Sequence, residues 1–166
     1  MLRSAVTVHL TRTCNKKQVK IPIIRTHDTK VERIPTKIFV SGKYNDKRLI
    51  RKKLNKLRSQ GHEITYDWTS KPETKNKNDL TKEAVLEVLA IKASDVHVLI
   101  LDDKNYSYRG TFAELGCSVG LGKNIMVYHK LGKSSFMNSP FYNHPLVHHF
   151  TSWKKLLRAI DVGNKI

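Results

Sequence analysis

Glu114 lies inside Gly110-Thr-Phe-Ala-Glu-Leu-Gly116, shortly after an apolar run that ends in Asp102-Asp103. Glu83 and Glu87 stand four residues apart, so they share one face of any helix that holds them. An ionised, partly desolvated Glu in a crevice suits nucleophilic attack or charge stabilisation at an anomeric carbon. A second, partly buried carboxyl with a raised pKa suits protonation of a leaving group. Glu87 fits that second role, because Leu86, Val88 and Leu89 surround it; Lys82 and Lys92 leave Glu83 on a solvated face. Thr111-x-x-Glu114 also matches a capping box, which would make Glu114 a helix cap whose ionised form is favoured by the positive helix end. Both readings of Glu114 stand at this level.

The elements that must position these groups alternate strand and helix. Lys37–Val40 is a short buried strand ended by Ser41-Gly42, and Asp46 opens a helix with Leu49, Ile50, Leu54 and Leu57 at helical spacing. Gln60-Gly61 closes it. Glu63–Trp68 alternates as a second strand, and residues 69–78 form a polar, lysine-rich loop. A helix over Asp79–Ala93 takes its apolar face from Ala84, Leu86, Val88, Leu89 and Ile91. Strands at Val96–Leu101 and Ile125–Tyr128 then flank a helix from Thr111 to Leu121. A Ser-, Asn-, Gly- and Pro-rich loop of residues 129–145 precedes a strand at Val147–Phe150 and a last helix capped by Ser152.

This alternation predicts an α/β, flavodoxin-like or Rossmann-like three-layer sandwich with a five-stranded parallel sheet in the order 2-1-3-4-5. Its C-terminal strand ends converge on one crevice holding Ser41-Gly42-Lys43, Asp67-Trp68, Asp102-Asp103 and the loop from Arg109 through Gly110 and Thr111 to Glu114. The Ser41-Gly42-Lys43 turn lets backbone N–H groups approach an anion or a sugar hydroxyl. It lacks the dinucleotide-binding and P-loop glycine patterns.

With 166 residues the chain suits one domain, and no apolar run has the length to span a bilayer. The net charge of +17 is uneven: residues 1–77 hold 20 Lys/Arg against 6 Asp/Glu, residues 78–166 hold 11 against 8. The basic first half predicts nonspecific nucleic-acid binding or simply a solvated lysine-rich surface. Residues 1–36 read as a basic arm, either a β-hairpin or partly disordered, appended to a domain of residues 37–166; the first 27 residues contain no acid. An intracellular, cytoplasmic protein is expected, with organelle targeting through that N-terminus as the alternative. Two cysteines, Cys14 and Cys117, fit a reducing compartment rather than a disulfide scaffold. The eight His show no metal-ligand spacing, so no metal and no cofactor are expected, and His148-His149 reads as strand surface.

The chain resembles the nucleoside 2-deoxyribosyltransferase-like family, which includes 2'-deoxynucleoside 5'-monophosphate N-glycosidases. The likeness covers roughly residues 37–160. It rests on Ile38-Phe-Val-Ser-Gly42, Gly61-His-Glu-Ile-Thr-Tyr-Asp-Trp-Thr69, Ala93-Ser-Asp-Val96 and, most specifically, Arg109–Lys123. The resemblance implies that Glu114 attacks C1' of a nucleoside or nucleotide and that water or a second base resolves the glycosyl-enzyme. It puts Glu87, eight residues before Asp95, in the place of a helper acid that is usually Asp. Phe39 stands where active transferases carry a Tyr that orients the nucleophile, leaving Tyr44 or Tyr108 as candidates for that role. It also implies a homodimer or higher homo-oligomer, with the 129–145 loop (Asn138, Tyr142, Asn143, His144) reaching the neighbouring site. Lys43 and Arg48 near the crevice favour a phosphorylated substrate and hydrolysis. The competing reading is a nucleic-acid-associated binding or structural protein with a degenerate site on the same fold; a third is a sensor that binds a nucleotide without turnover.

Overall fold

Five short strands form one parallel sheet in the order β2-β1-β3-β4-β5, as the alternation of elements predicts. In the computed structural model, residues 34–130 and 135–163 are described, within a unit that spans Glu32–Ile166. The basic arm expected over residues 1–36 lies almost wholly outside the described residues. The strands are β1 (Lys37–Gly42), β2 (Glu63–Ile64), β3 (Val96–Ile100), β4 (Asn124–Tyr128) and β5 (Val147–Phe150). The helices are α1 (Lys47–Ser59), α2 (Lys77–Ala93), α3 (Arg109–Gly120) and α4 (Trp153–Gly163). No helix among the described residues is long and apolar enough to cross a membrane.

Alternate residues of each strand serve opposite layers. Ile38, Val40, Val96, Val98 and Ile100 pack with Ile50, Leu54 and Leu57 of α1 and Leu156, Leu157 and Ile160 of α4. Lys53 of α1 lies 4.3 Å from the ring centres of both Tyr128 and Trp153, fastening α1 to α4 over the end of β4. On the other face, Phe39 packs with Ala90 and Ile91 of α2, and Leu99, Ile125 and Val127 pack with Leu115 of α3. Phe39 pairs in register with His97, and Ser41 with Leu99. Ser41 and His97 therefore point into the α2/α3 layer, the one that holds Glu114.

Four local details differ from the sequence expectation, each for a visible reason. β2 ends at Ile64, because Asp67 pulls the chain into a 3-10 turn over Trp68–Ser70: its Oδ1 accepts from the Thr69 amide, and its Oδ2 pairs with Arg58 at 2.7 Å. α2 starts at Lys77, where Asn76 Oδ1 accepts from the amides of Asn78 and Asp79. Asp46 does precede α1, but its side chain makes no capping bond. α3 starts at Arg109 rather than Thr111, which moves Glu114 out of its first turn.

The largest correction concerns α2. The apolar face expected to pack on the sheet is mostly outside: Leu86, Val88 and Leu89 are exposed, together with Leu80 and Val85. Only Ala90 and Ile91, at its C-terminal end, are buried. Glu83 and Glu87 take the inward positions instead. Such an inversion costs solvation on both faces, so it points to a use for the inward carboxylates.

Candidate active site

Gly42 closes β1 at the floor of a cavity of about 330 Å³. A Cβ at this position would lie 2.7 Å from Ile50 Cδ1 and 3.4 Å from the Ile100 carbonyl, so a larger residue would have to push the buried Ile50 side chain aside. Thr111 binds the same turn, its hydroxyl donating to the Gly42 carbonyl at 3.4 Å. Thr111 is the third residue of α3 rather than its N-cap, so no capping box forms. The N-cap of α3 is Tyr108, at φ 49, and no side chain caps the helix. A left-handed Tyr costs about 1 kcal/mol or more, a strain typical of functional sites.

Glu114, freed from the capping role, projects into the cavity from the second turn of α3, beside Gly110 and Thr111. Burial pushes its carboxyl up to about 7; a hydrogen bond from Ser41 opposes the shift and the charge of Glu87 adds to it. The helix-end argument for a readily ionised Glu114 therefore fails: the group is beyond the first turn, and desolvation dominates. Across the cavity stands Glu87, also raised, by burial first and by Glu83 second. Glu83 accepts a hydrogen bond from the Tyr66 hydroxyl, and burial pushes that phenol upward as well. Glu87 and Glu114 thus face one space, and burial makes both hold their proton more tightly than an ordinary Glu.

Aromatic rings line the walls. Tyr44 stacks on Trp68 with ring centres 6.1 Å apart, and Trp68 is fixed by donating its indole N–H to the Val40 carbonyl at 2.7 Å. Opposite, Tyr106 and Tyr108 meet edge to face at 4.8 Å. Flat apolar walls over a polar floor suit a planar heterocycle joined to a polyhydroxylated group.

Of the residues expected from sequence, Glu114, Glu87, Gly42, Tyr44, Trp68, Gly110 and Thr111 all line this cavity. Ser41 lies just beneath it, fully buried, in contact with Glu114. Lys43, Asp103 and Asp67 do not line it. Lys43 pairs with Asp103 at 2.7 Å and lies over Tyr106, and Asp67 holds Arg58 and Thr69. Positive charge at the rim comes from Lys71 instead. Tyr108, a candidate to orient Glu114, instead accepts at its hydroxyl from the Asp103 amide at 2.9 Å. In the 129–145 loop, Tyr142 is buried, and Asn143 donates to the carbonyls of Met137 and Ser139.

No family model matches the sequence, and no curated protein matches it either. Solved structures do. The Clostridium botulinum CMP N-glycosidase BcmB superposes with a TM-score of 0.51 at 20% identity, over 75% of this chain and 98% of its own. A 2-deoxyribosyltransferase from the psychrotolerant bacterium Bacillus psychrosaccharolyticus gives 0.58 at 24% identity, over 72% and 89%. A conserved protein from Enterococcus faecalis V583 gives 0.56 at 15% identity, over 80% and 100%. This chain has their fold. Within that fold, the cavity sits at the C-terminal ends of β1 and β3, where parallel sheets of this order open a crevice.

Two further parts of the site escape the sequence reading. His97 and Ser118, both fully buried, lie behind Glu114 and Ser41. The available signal was one imidazole inside an otherwise apolar five-residue strand, Val96-His-Val-Leu-Ile100.

Proposed function

We propose that this protein cleaves or transfers at the N-glycosidic bond of a nucleoside or nucleoside 5'-monophosphate, ribo or deoxy. The observation that carries the proposal is the pairing of Glu114 with Glu87 across an aromatic-walled cavity at the crevice of this fold. Glu114 attacks C1' as the carboxylate, and the C1'–N bond breaks through an oxocarbenium-like transition state. Glu87 gives its proton to the departing base. The same residue, now ionised, takes a proton from the water or second base that releases the sugar from Glu114. Tyr44 and Trp68 hold the base by stacking, and Lys71 at the rim offers the positive charge a 5'-phosphate would use. The test is release of free base from a panel of nucleosides and their 5'-monophosphates. Release that disappears in Glu114→Ala supports the reading; release from no member of the panel overturns it.

The exposed apolar stripe of α2 supports a homo-oligomer. Leu80, Val85, Val88 and Leu89 are 51%, 55%, 50% and 56% exposed, and Leu80 and Ala84 also belong to the cavity wall. A second copy on this stripe would close the cavity as well as cover the apolar surface.

The basic surface favours a second reading, binding of nucleic acid. α1 carries seven Lys/Arg and no acid, and Arg48, Lys52 and Lys56 form one exposed row at successive helical turns. Among the described residues no carboxylate pairs with those three. Retardation of single- or double-stranded DNA that weakens steeply with salt would support this reading, and salt-independent or absent binding would exclude it.

A further inference from the structure

We infer that His97, acting through Ser41, is the positioning residue that aims Glu114 and holds it ready to ionise; this deepens the reading of Glu114 as the reacting carboxylate. The starting observation is an imidazole buried completely in the middle of the sheet. Phe39 meets its ring edge-on at 5.1 Å, and every other residue of β3 is a buried aliphatic. An imidazole in such a place is tolerated only when both nitrogens are bonded. Both are. Nε2 lies 2.5 Å from Ser41 Oγ, and Nδ1 lies 2.6 Å from Ser118 Oγ.

The direction of these bonds follows from counting protons. Burial holds His97 down to about 3, so in the working range the ring is neutral and carries a single N–H. The Ser41 hydroxyl also bonds the Glu114 carboxyl. An ionised carboxylate only accepts, so Ser41 must give its one proton to Glu114. Ser41 Oγ must then accept from His97, which puts the ring proton on Nε2. Nδ1 is left bare and accepts from the Ser118 hydroxyl. Every donor in the chain Ser118, His97, Ser41 points toward Glu114, and a bond chain aligned in one sense is polarised along its length.

The chain is also a closed circuit. Ser118 stands one helical turn beyond Glu114 on α3, so the path leaves α3 at Glu114 and crosses β1 at Ser41. It then crosses β3 at His97 and returns to the same helix. Rotation of the Glu114 carboxyl away from the cavity floor breaks the circuit. The titratable groups that share the cavity with Glu114 are Glu83 and Glu87 of α2, Tyr44 before α1, Tyr106 and Tyr108 before α3, and Lys71 and Glu73 at the rim. Of these, Glu87 opposes ionisation of Glu114. Help toward ionisation comes from the Ser41 side.

The test is heteronuclear NMR of the full chain, reading the His97 ring nitrogens and the Glu114 carboxyl carbon, with base release measured in parallel. His97 should stay neutral and protonated at Nε2 from about pH 5 to about pH 9. Ser41→Ala should move the Glu114 titration upward by about one to two pH units, and the rising limb of any pH–activity profile with it. His97→Leu should shift it in the same direction. His97→Gln should restore it, because the amide donates to Ser41 and accepts from Ser118. A proton found on Nδ1, an unmoved Glu114 titration in Ser41→Ala, or equal titrations in His97→Leu and His97→Gln would each overturn the inference. The wild-type tautomer needs no variant and stays decisive if His97→Leu does not fold. Correct shifts without base release would uphold the circuit and reject the enzyme reading; base release with unmoved titrations would do the reverse.

Discussion

Replacing Glu114 with Gln should make the folded protein more stable above neutral pH, and the size of the gain follows from the site. An ordinary Glu ionises near 4.5, but Glu114 in the folded chain ionises near 7. The folded state thus keeps a proton that the unfolded state has already released, and folding weakens as pH rises through this interval. The sign is that of a raised acid: its contribution is intact below about 4.5 and is lost as pH passes 7. A shift of that size corresponds to about 3 kcal/mol once the group is fully ionised. Gln keeps the shape and an acceptor for Ser41 and carries no charge, so it avoids that penalty. At about pH 5 the two proteins should unfold together. At about pH 8.5 the Glu114→Gln substitution should raise the free energy of unfolding by about 3 kcal/mol, or the melting temperature by roughly 10 °C for a domain of this size. Urea denaturation followed at both pH values measures it. Equal stability at the higher pH, or a variant less stable than wild type, would refute the claim that Glu114 is held by burial.

If Glu114 acts as the carboxylate, base release should climb with a limb near pH 7; a flat profile through that range would remove it from the reaction. Gly42→Ala should cost about 1–3 kcal/mol, since its Cβ would press on buried Ile50, and an unchanged urea midpoint would contradict the packing at the cavity floor. Replacing Arg48, Lys52 and Lys56 together with Ala should lower the slope of log affinity against log salt by about 2–3 for a DNA strand, and an unchanged slope would acquit that face. Charged residues at Val85 and Val88 should shift sedimentation toward the monomer without altering the circular dichroism, whereas unchanged sedimentation would reject the α2 stripe as an interface.

Sheet order, strand positions and the crevice were legible in the sequence because buried parallel strands read as apolar runs separated by helical spacing. The α2 face was not legible. Its apolar residues satisfied a helical pattern, but Glu83 and Glu87 satisfied the same geometry from the other side, and sequence alone does not say which side meets the sheet. Thr111-x-x-Glu114 misled because α3 begins two residues earlier, at Arg109, so Thr111 sits inside the helix and its hydroxyl meets the Gly42 carbonyl, 69 positions away in sequence. Phe39 left the orienting hydroxyl unassigned. The hydroxyl that meets Glu114 belongs to Ser41, two residues along the same strand, and its support arrives from His97 on β3 through side-chain bonds that no local motif encodes.

The chain has two tryptophans, and of these Trp68 lines the cavity and Trp153 does not. Trp68 forms part of the cavity wall, stacked on Tyr44, whereas Trp153 lies under Lys53 on the α1/α4 side. The molecule thereby carries its own optical gauge. A heterocycle entering the cavity would quench Trp68 and leave Trp153 as an internal reference. Trp153→Phe would isolate the binding signal, and Trp68→Phe would supply the blank, so occupancy of the site can be titrated in unlabelled protein before any substrate for turnover is known.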